Sequence, residues 1–442
     1  CWRTQSIGGG RDRFEEEHSM TGDGTRAFAA ASEVELMRGG LPLQVALERI
    51  DVVDALAHDW HRLELVADGG PFLSWHWVSA WLRMLPSQVQ PWLFSARDAG
   101  GVVAFGLLVE VAETGVKRMF GNCSLHLQET GDPELDEITI EYAGLLVRSG
   151  QETRAYAALL ELVNARFPSL RALHASGSIH GHWISEALPD GLSAYDLHAD
   201  MSCYVDFDHV QALGGDYLKV LSKSTRAGLR RTERAYAELG ALEIEVAVDP
   251  GQALQWLDGL RELHTRYWQA KGEGGSFASP FFGDFHRELV CEGTAAGFTQ
   301  LMRITAGEHI VGYLYHLVWN HHVYFYSSGF DYGLAVAENR PGYLAQLLAI
   351  RHYAALGMHA YDFMAGESRY KRMMSTHARP MHNIRISPAS WRLALGRQGG
   401  EGARRGPPPP VLAVVDQGRA KALRHADAKP GRGPSAGSGQ QV

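Results

Sequence analysis

The tripeptide Arg340-Pro341-Gly342 stands between a strand-like run at 323–329 and a helical run at 341–356. Proline is tolerated in a first helical turn, because its missing N–H would have no intrahelical partner there. Glycine lets another group approach the backbone closely. The opening turn of such a helix presents free N–H groups and a partial positive charge, so with Arg340 beside it this is a candidate pyrophosphate cradle. The plainer reading is an ordinary helix start. A second cluster is basic: Lys219, Lys223, Arg226, Arg230, Arg231 and Arg234. Arg226, Arg230 and Arg234 recur at helical spacing on one face, so they could hold a phosphate-bearing donor or a nucleotide-linked acceptor, or form a solvated face. Trp75, Trp77 and Trp81 could stack on a sugar ring or an acyl chain, although their spacing also suits a helix core.

The elements that must position these groups follow from periodicity. An opening strand and helix are expected over 43–66, and a second helix from Ser74, a suitable N-cap. Strands at 91–97 and 102–109 flank Asp98-Ala99-Gly100-Gly101 as a hairpin. A helix at 153–165 and a strand at 170–175 follow. The order recurs: helices at 253–271 and 280–291, strands at 298–305 and 310–319 around Ala306-Gly307-Glu308-His309, a strand at 323–329, the helix at 341–356 and a strand at 359–364. His321-His322 reads as a turn and not as a ligand pair. The recurrence implies an internal duplication. Hairpins mixed with helices imply an α+β class, with two tandem units each built on a mixed, mostly antiparallel sheet flanked by helices. The expected boundaries are a disordered extension over 1–40, a first domain over 41–205, a second over 206–395 and a disordered Gly/Pro/Arg-rich tail over 396–442.

With 442 residues, 45% hydrophobic and 21% charged, the chain fits two or three globular domains. A net charge of −8 argues against a DNA-binding role, since nucleic acid favours a basic surface. Cys1, Cys123, Cys203 and Cys291 form no CxxC pair, and no HExxH occurs, so neither a metal site nor a disulfide framework is expected. No run of 18 apolar residues and no basic-then-apolar leader is present, and a cytoplasmic location is the expectation.

The order strand, loop, Arg-x-Gly, helix, strand resembles the acyl-CoA loop of the GNAT acetyltransferase superfamily. More closely, the chain resembles the CelD/BcsL family, described as acetyltransferases linked to cellulose biosynthesis, and that family is similar in turn to the two-domain Fem-type aminoacyl transferases. The blocks that carry this are Pro71-Phe72-Leu73-Ser74-Trp75 with Trp77, Ala80 and Trp81; Leu221-Ser222 with Arg226, Leu229, Arg230 and Arg231; and Leu263-His264 with Trp268. They continue through Ser328-Gly329-Phe330-Asp331, Arg340-Pro341-Gly342, and Tyr361-Asp362-Phe363 with Gly366, Tyr370 and Lys371. The resemblance spans roughly 43–386. One departure stands out: the fuller superfamily loop carries a second small residue, where this chain has Leu344. The first unit has no matching loop, since Arg148-Ser149-Gly150 lacks the small residue that follows, and is expected to be degenerate for donor binding.

The resemblance implies direct transfer of an acyl group from acetyl-CoA or another acyl-CoA, as co-substrate and without a resident cofactor, to an amine or hydroxyl of a small-molecule, saccharide or peptide acceptor. Arg340, Pro341, Gly342, Tyr343 and Leu344 would hold the donor. Backbone N–H groups on the 324–329 strand would stabilise the oxyanion. Tyr370 would act as general acid toward the departing thiolate, Lys371 as an electrostatic stabiliser, and Asp362 as base or orienting group, against plainer readings as surface or structural residues. Trp75, Arg226, Arg230, Tyr326, Ser328 and Asp331 are the candidate acceptor contacts, with Asp331 most simply a turn residue. Two rivals remain: an aminoacyl-tRNA-dependent Fem-type transferase, against which the acidic charge weighs, and a non-catalytic accessory protein of a polysaccharide pathway.

Overall fold

The structure, a computed structural model, describes residues 34–38, 41–366 and 368–389. The tail over 396–442 and most of the extension over 1–40 lie outside the described residues. Within that extension, however, β1 (Val34–Arg38) pairs antiparallel with β2 (Leu41–Arg49), Arg38 opposite Leu41. The signal was Gly39-Gly40 between two apolar runs, a two-residue hairpin spacing.

The first half continues with α1 (Ala57–Glu64), α2 (Trp75–Met84), β3 (Trp92–Asp98), β4 (Gly101–Ala112), β5 (Cys123–Leu127), the short β6 (Leu146–Val147), α3 (Glu152–Arg166), β7 (Leu170–Ser178), α4 (Gly181–Glu186) and β8 (Leu192–Asp206). The second half holds α5 (Phe207–Ala212), α6 (Tyr217–Val220), α7 (Lys223–Ala237), β9 (Leu242–Val246), α8 (Pro250–Ala270), α9 (Pro280–Gly293), β10 (Thr299–Ala306), β11 (His309–Trp319), β12 (His322–Phe330), α10 (Pro341–Ala355), β13 (Ala360–Ala365), α11 (Arg369–Met374) and β14 (His377–Pro388). The helix starts follow the sequence cues. Ser74 caps α2 by accepting from Trp77 N and donating to the Pro71 carbonyl, and Asp249 and Ser279 cap α8 and α9 ahead of Pro250 and Pro280. Asn320 and His321 both take positive φ, 46° and 59°, and make the tight turn between β11 and β12, one residue earlier than the His321-His322 expected, because His322 opens β12.

The duplication is visible element by element. Strand, two helices, three strands, helix, strand, helix, strand runs from β2 to β8 and again from β9 to β14, β6 aside. Each half builds a mixed, mostly antiparallel set of strands, with one parallel pair apiece, β5–β7 and β12–β13. The two sets are nevertheless one sheet, in the order β1-β2-β3-β4-β5-β7-β14-β8-β13-β12-β11-β10-β9. Two separate sheets were the expectation. The physical reason for their fusion is an exchange of last strands. β8 lies antiparallel to β13 of the second half, β14 lies antiparallel to β7 of the first, and the two exchanged strands pair along their length, from His377–Tyr204 to Pro388–Leu192.

Helices cover both faces. On one, α1, α2, α8 and α9 form a layer common to both halves, where Trp77 packs edge-on against Phe285 and the core runs unbroken from Trp60 to Tyr324. On the other, α3 and α4 cover the first half, and α7 and α10 the second. No described helix is long and apolar enough to cross a membrane.

Candidate functional site

The site begins where two parallel strands part. β12 and β13 pair through His322–Ala360, Val323–Tyr361 and Tyr324–Asp362, and there the pairing ends, although β12 runs on to Phe330 and β13 to Ala365. Both strands carry an irregularity at the fork. On β12, Ser327 faces Tyr315 and Phe325 faces His316, so Tyr326 is an extra residue, a bulge that bends the strand. On β13, the register with β8 jumps between Asp362 and Ala365, and Met364 sits in the left-handed region at φ 62°. A non-glycine residue there costs on the order of 1–3 kcal/mol and persists only when its surroundings hold it.

The first turn of α10 lies at this fork. A side chain added at Gly342 would meet the Phe330 ring at the end of β12, 3.2 Å away. Pro341 has no N–H, and Tyr343 and Leu344 both donate to the Arg340 carbonyl, at 3.1 and 3.3 Å, so Gly342 offers the helix's first N–H without an intrahelical acceptor. No acidic residue stands in this turn. α3 differs: its first turn contains Glu152, whose carboxylate accepts from Gly150 N at 2.9 Å and places negative charge where an anion would have to sit. Arg340 is half exposed and reaches Glu338, which also draws in Arg231. Leu344 is fully buried in the core, so its bulk, the departure noted in the sequence, points away from any donor.

Around the end of β13 the structure brings Asp362, Tyr370 and Lys371 together. Asp362 is fully buried and takes four donors. Its Oδ1 accepts from Ser202 Oγ at 2.8 Å and Met364 N at 2.7 Å, and its Oδ2 from Tyr142 Oη at 2.7 Å and from Arg379. A carboxylate has about four lone-pair sites, and here the protein's own donors take all four. Arg379 is held between the rings of Tyr142 and Tyr204. Burial opposes its charge, but Tyr142 and Asp362 outweigh that and raise its pKa above the usual arginine range. Lys371 Nζ donates to the carbonyls of Met364 at 3.2 Å and Ala365 at 2.5 Å; burial pulls its pKa down, with Glu141 and Asp362 pulling it back up. Tyr370 packs against Phe363 and Tyr343, and burial raises its hydroxyl above the ordinary phenol range.

The remaining candidates are placed as follows. Ser328 lies on β12 opposite Leu314, half buried. Tyr326 is on the bulge, but its hydroxyl donates to the Ile138 carbonyl and lies 2.9 Å from His286 Nε2. Asp331 accepts from Gly333 N, the turn role expected of it. Arg226 and Arg230 sit on α7, which packs against α10; Arg226 reaches the Leu218 carbonyl and Arg230 is exposed. Trp75 does not join the site: its ring is buried in the shared core, 5.9 Å from Trp60. Sequence reasoning missed Glu141, Tyr142, Ser202 and Arg379, which come from other elements and carry no local motif. Among the described residues no group of His, Cys, Asp or Glu is arranged to hold a metal ion.

Comparison with known proteins bears on this geometry. No curated protein matches the chain. The fold is similar to that of FemX, with a TM-score of 0.51 at 9% identity, covering 80% of this chain and 100% of that one. A tandem GNAT protein from the clavulanic acid biosynthesis pathway aligns with a TM-score of 0.41 at 12% identity, covering 78% and 98%. A protein of unknown function from Bacteroides thetaiotaomicron aligns at 0.45 and 10%, covering 77% and 98%. Residues 223–372, from α7 through the fork and α10 into α11, match the family model described as Acetyltransferase (GNAT) domain.

Proposed function

We propose that this chain transfers an acyl group from an acyl-coenzyme A to an amine or hydroxyl acceptor, with the second domain, 206–395, doing the work and the first, 41–205, degenerate for donor binding. The observation that carries the reading is the fork between β12 and β13, open directly before an α10 first turn that lacks acidic residues. The donor pyrophosphate would lie at Gly342 and Arg340, and its thioester in the fork. The acceptor attacks the thioester carbonyl, the carbon–sulfur bond breaks, and the proton the acceptor loses passes to solvent water, leaving the coenzyme A thiolate. The oxyanion is stabilised by backbone N–H groups that the Tyr326 bulge turns from the ladder. Tyr370 assists the leaving sulfur. A phenol raised by burial is a much weaker acid than a thiol of pKa about 8.5, so its hydroxyl donates a hydrogen bond to the thiolate and does not give up its proton. Lys371 Nζ is fixed on two carbonyls at the same end of β13.

Isothermal calorimetry with coenzyme A and acetyl-CoA tests the donor assignment. The wild type should bind both. Gly342→Val puts a branched side chain against Phe330 and should weaken binding tenfold or more, about 1.4 kcal/mol. A folded Gly342→Val protein that binds both as tightly as wild type would remove α10 from the donor site.

A further inference from the structure

The first half is poorly equipped for a donor, yet one of its segments reaches across into the second half's site. Between β5 and β6 the chain makes a string of contacts to the other half. The Glu134 carbonyl accepts from Ser279 Oγ at 3.4 Å and the Ile138 carbonyl from Tyr326 on the β12 bulge. Glu141 Oε2 accepts from Ala365 N at 2.8 Å, and Tyr142 Oη donates to Asp362. The segment is braced from within by Asp136, whose carboxylate accepts from Thr130 N, Thr130 Oγ1 and Gly131 N, each at 2.8 Å. Thr139 and Tyr142 take positive φ, 48° and 57°, although neither is glycine. Strained backbone of this kind persists where surrounding contacts over-determine it. In the second half the corresponding stretch between β12 and α10 covers only 331–340, against 128–151 in the first.

The contacts converge on the last two residues of β13. Met364 N donates to Asp362, both carbonyls accept from Lys371, and Ala365 N donates to Glu141. Charged side chains thus engage the N–H and the carbonyl of both residues at the end of β13. Three of these bonds come from within the second half; the fourth comes from the first. An amide left without an acceptor beside an open strand edge pairs with that edge.

We propose that Glu141 of the first half is a positioning residue for the second half's site: by engaging Ala365 N it keeps the end of β13 from pairing with β12, and so sets the width of the fork in which the acyl donor lies. The proposal rests on the donor reading given above. It assigns the degenerate half a task, since a site read from residues 206–395 alone would lack the group that holds it open. The occupant of that fork is a coenzyme A thioester, and Glu141 acts on it only through the backbone.

Two variants separate the accepting oxygen from the charge. Glu141→Ala removes both, while Glu141→Gln keeps an amide oxygen for Ala365 N. With the full chain, hydrogen exchange read by mass spectrometry over 325–330 should slow in Glu141→Ala, as β13 closes onto β12, and keep its wild-type rate in Glu141→Gln. Coenzyme A affinity should fall tenfold or more in the first variant and stay within about twofold in the second. Unchanged exchange over 325–330 in Glu141→Ala overturns the proposal, whatever happens to affinity. So does a Glu141→Gln protein that behaves like Glu141→Ala. If the wild type binds no coenzyme A but the exchange pattern appears as expected, the donor reading fails and the width-setting role of Glu141 stands.

Discussion

Asp362→Ala is expected to lower the unfolding free energy by about 3–5 kcal/mol, the range for removing one partner of a buried ion pair. The carboxylate is fully buried and satisfies four donors at once, from the first half (Tyr142), from the exchanged strand β8 (Ser202), from β13 itself (Met364 N) and from β14 (Arg379). Without it, Arg379 loses its counter-charge between two tyrosine rings and three neutral donors lose their acceptor, which places the loss toward the upper end of that range. Thermal denaturation followed by circular dichroism should show Tm falling by roughly 10 °C, at about 2–4 °C per kcal/mol for a chain of this size. Asp362→Asn keeps one accepting oxygen and should fall by less. A Tm within about 2 °C of wild type in Asp362→Ala would show that the four bonds are replaceable. Asp362 would then return as a candidate base.

Tyr370→Phe is expected to lower kcat about a hundredfold while leaving coenzyme A affinity within about twofold. The side chain sits in an apolar and aromatic setting that phenylalanine fills equally well, so packing should survive. Only the hydrogen bond to the developing thiolate is lost, and bonds to charged groups are worth about 1.5–3 kcal/mol, the upper end matching a hundredfold. Thiol release from acetyl-CoA with a productive acceptor reads the effect. The profile of kcat against pH should also show no step from Tyr370 between pH 6 and 9, because burial keeps the hydroxyl protonated throughout. Wild-type turnover in Tyr370→Phe would pass the leaving-group role to Lys371, whose replacement by methionine removes the charge and keeps much of the stem.

Much of this arrangement was legible locally. The helix starts at Ser74, Pro280 and Pro341, both hairpins, and the repeated order of elements are short-range signals, set by capping chemistry and by apolar periods of two or about 3.6 residues. The placement of Asp362, Tyr370 and Lys371 around one strand end follows from their closeness in sequence. What stayed hidden depends on pairings between residues far apart. β8 has a long exposed stretch in its middle, and β14 begins His-Ala-Arg-Pro, so neither shows the alternation of a half-buried strand; their partners across the halves decide their state. Glu141 and Tyr142 lie in an irregular segment without period, and nothing near them names Ala365 or Asp362 as a target. Trp75 shows the converse, a residue with a recognisable binding chemistry and a core spacing that lies buried in the core.

The exchanged strands also constrain how the chain is made. β7 ends at Ser178, but the strand that covers its edge, β14, begins at His377. At synthesis rates of about 5–20 residues per second, roughly 10–40 s separate their emergence from the ribosome. During that interval the first half has formed its side of the sheet and exposes the edge of β7, while β8 waits for β13. Open edges of this kind recruit other chains. Nascent chains stalled before His377 should therefore be held by chaperones or self-associate, and folding of either half should finish only when the last strand arrives.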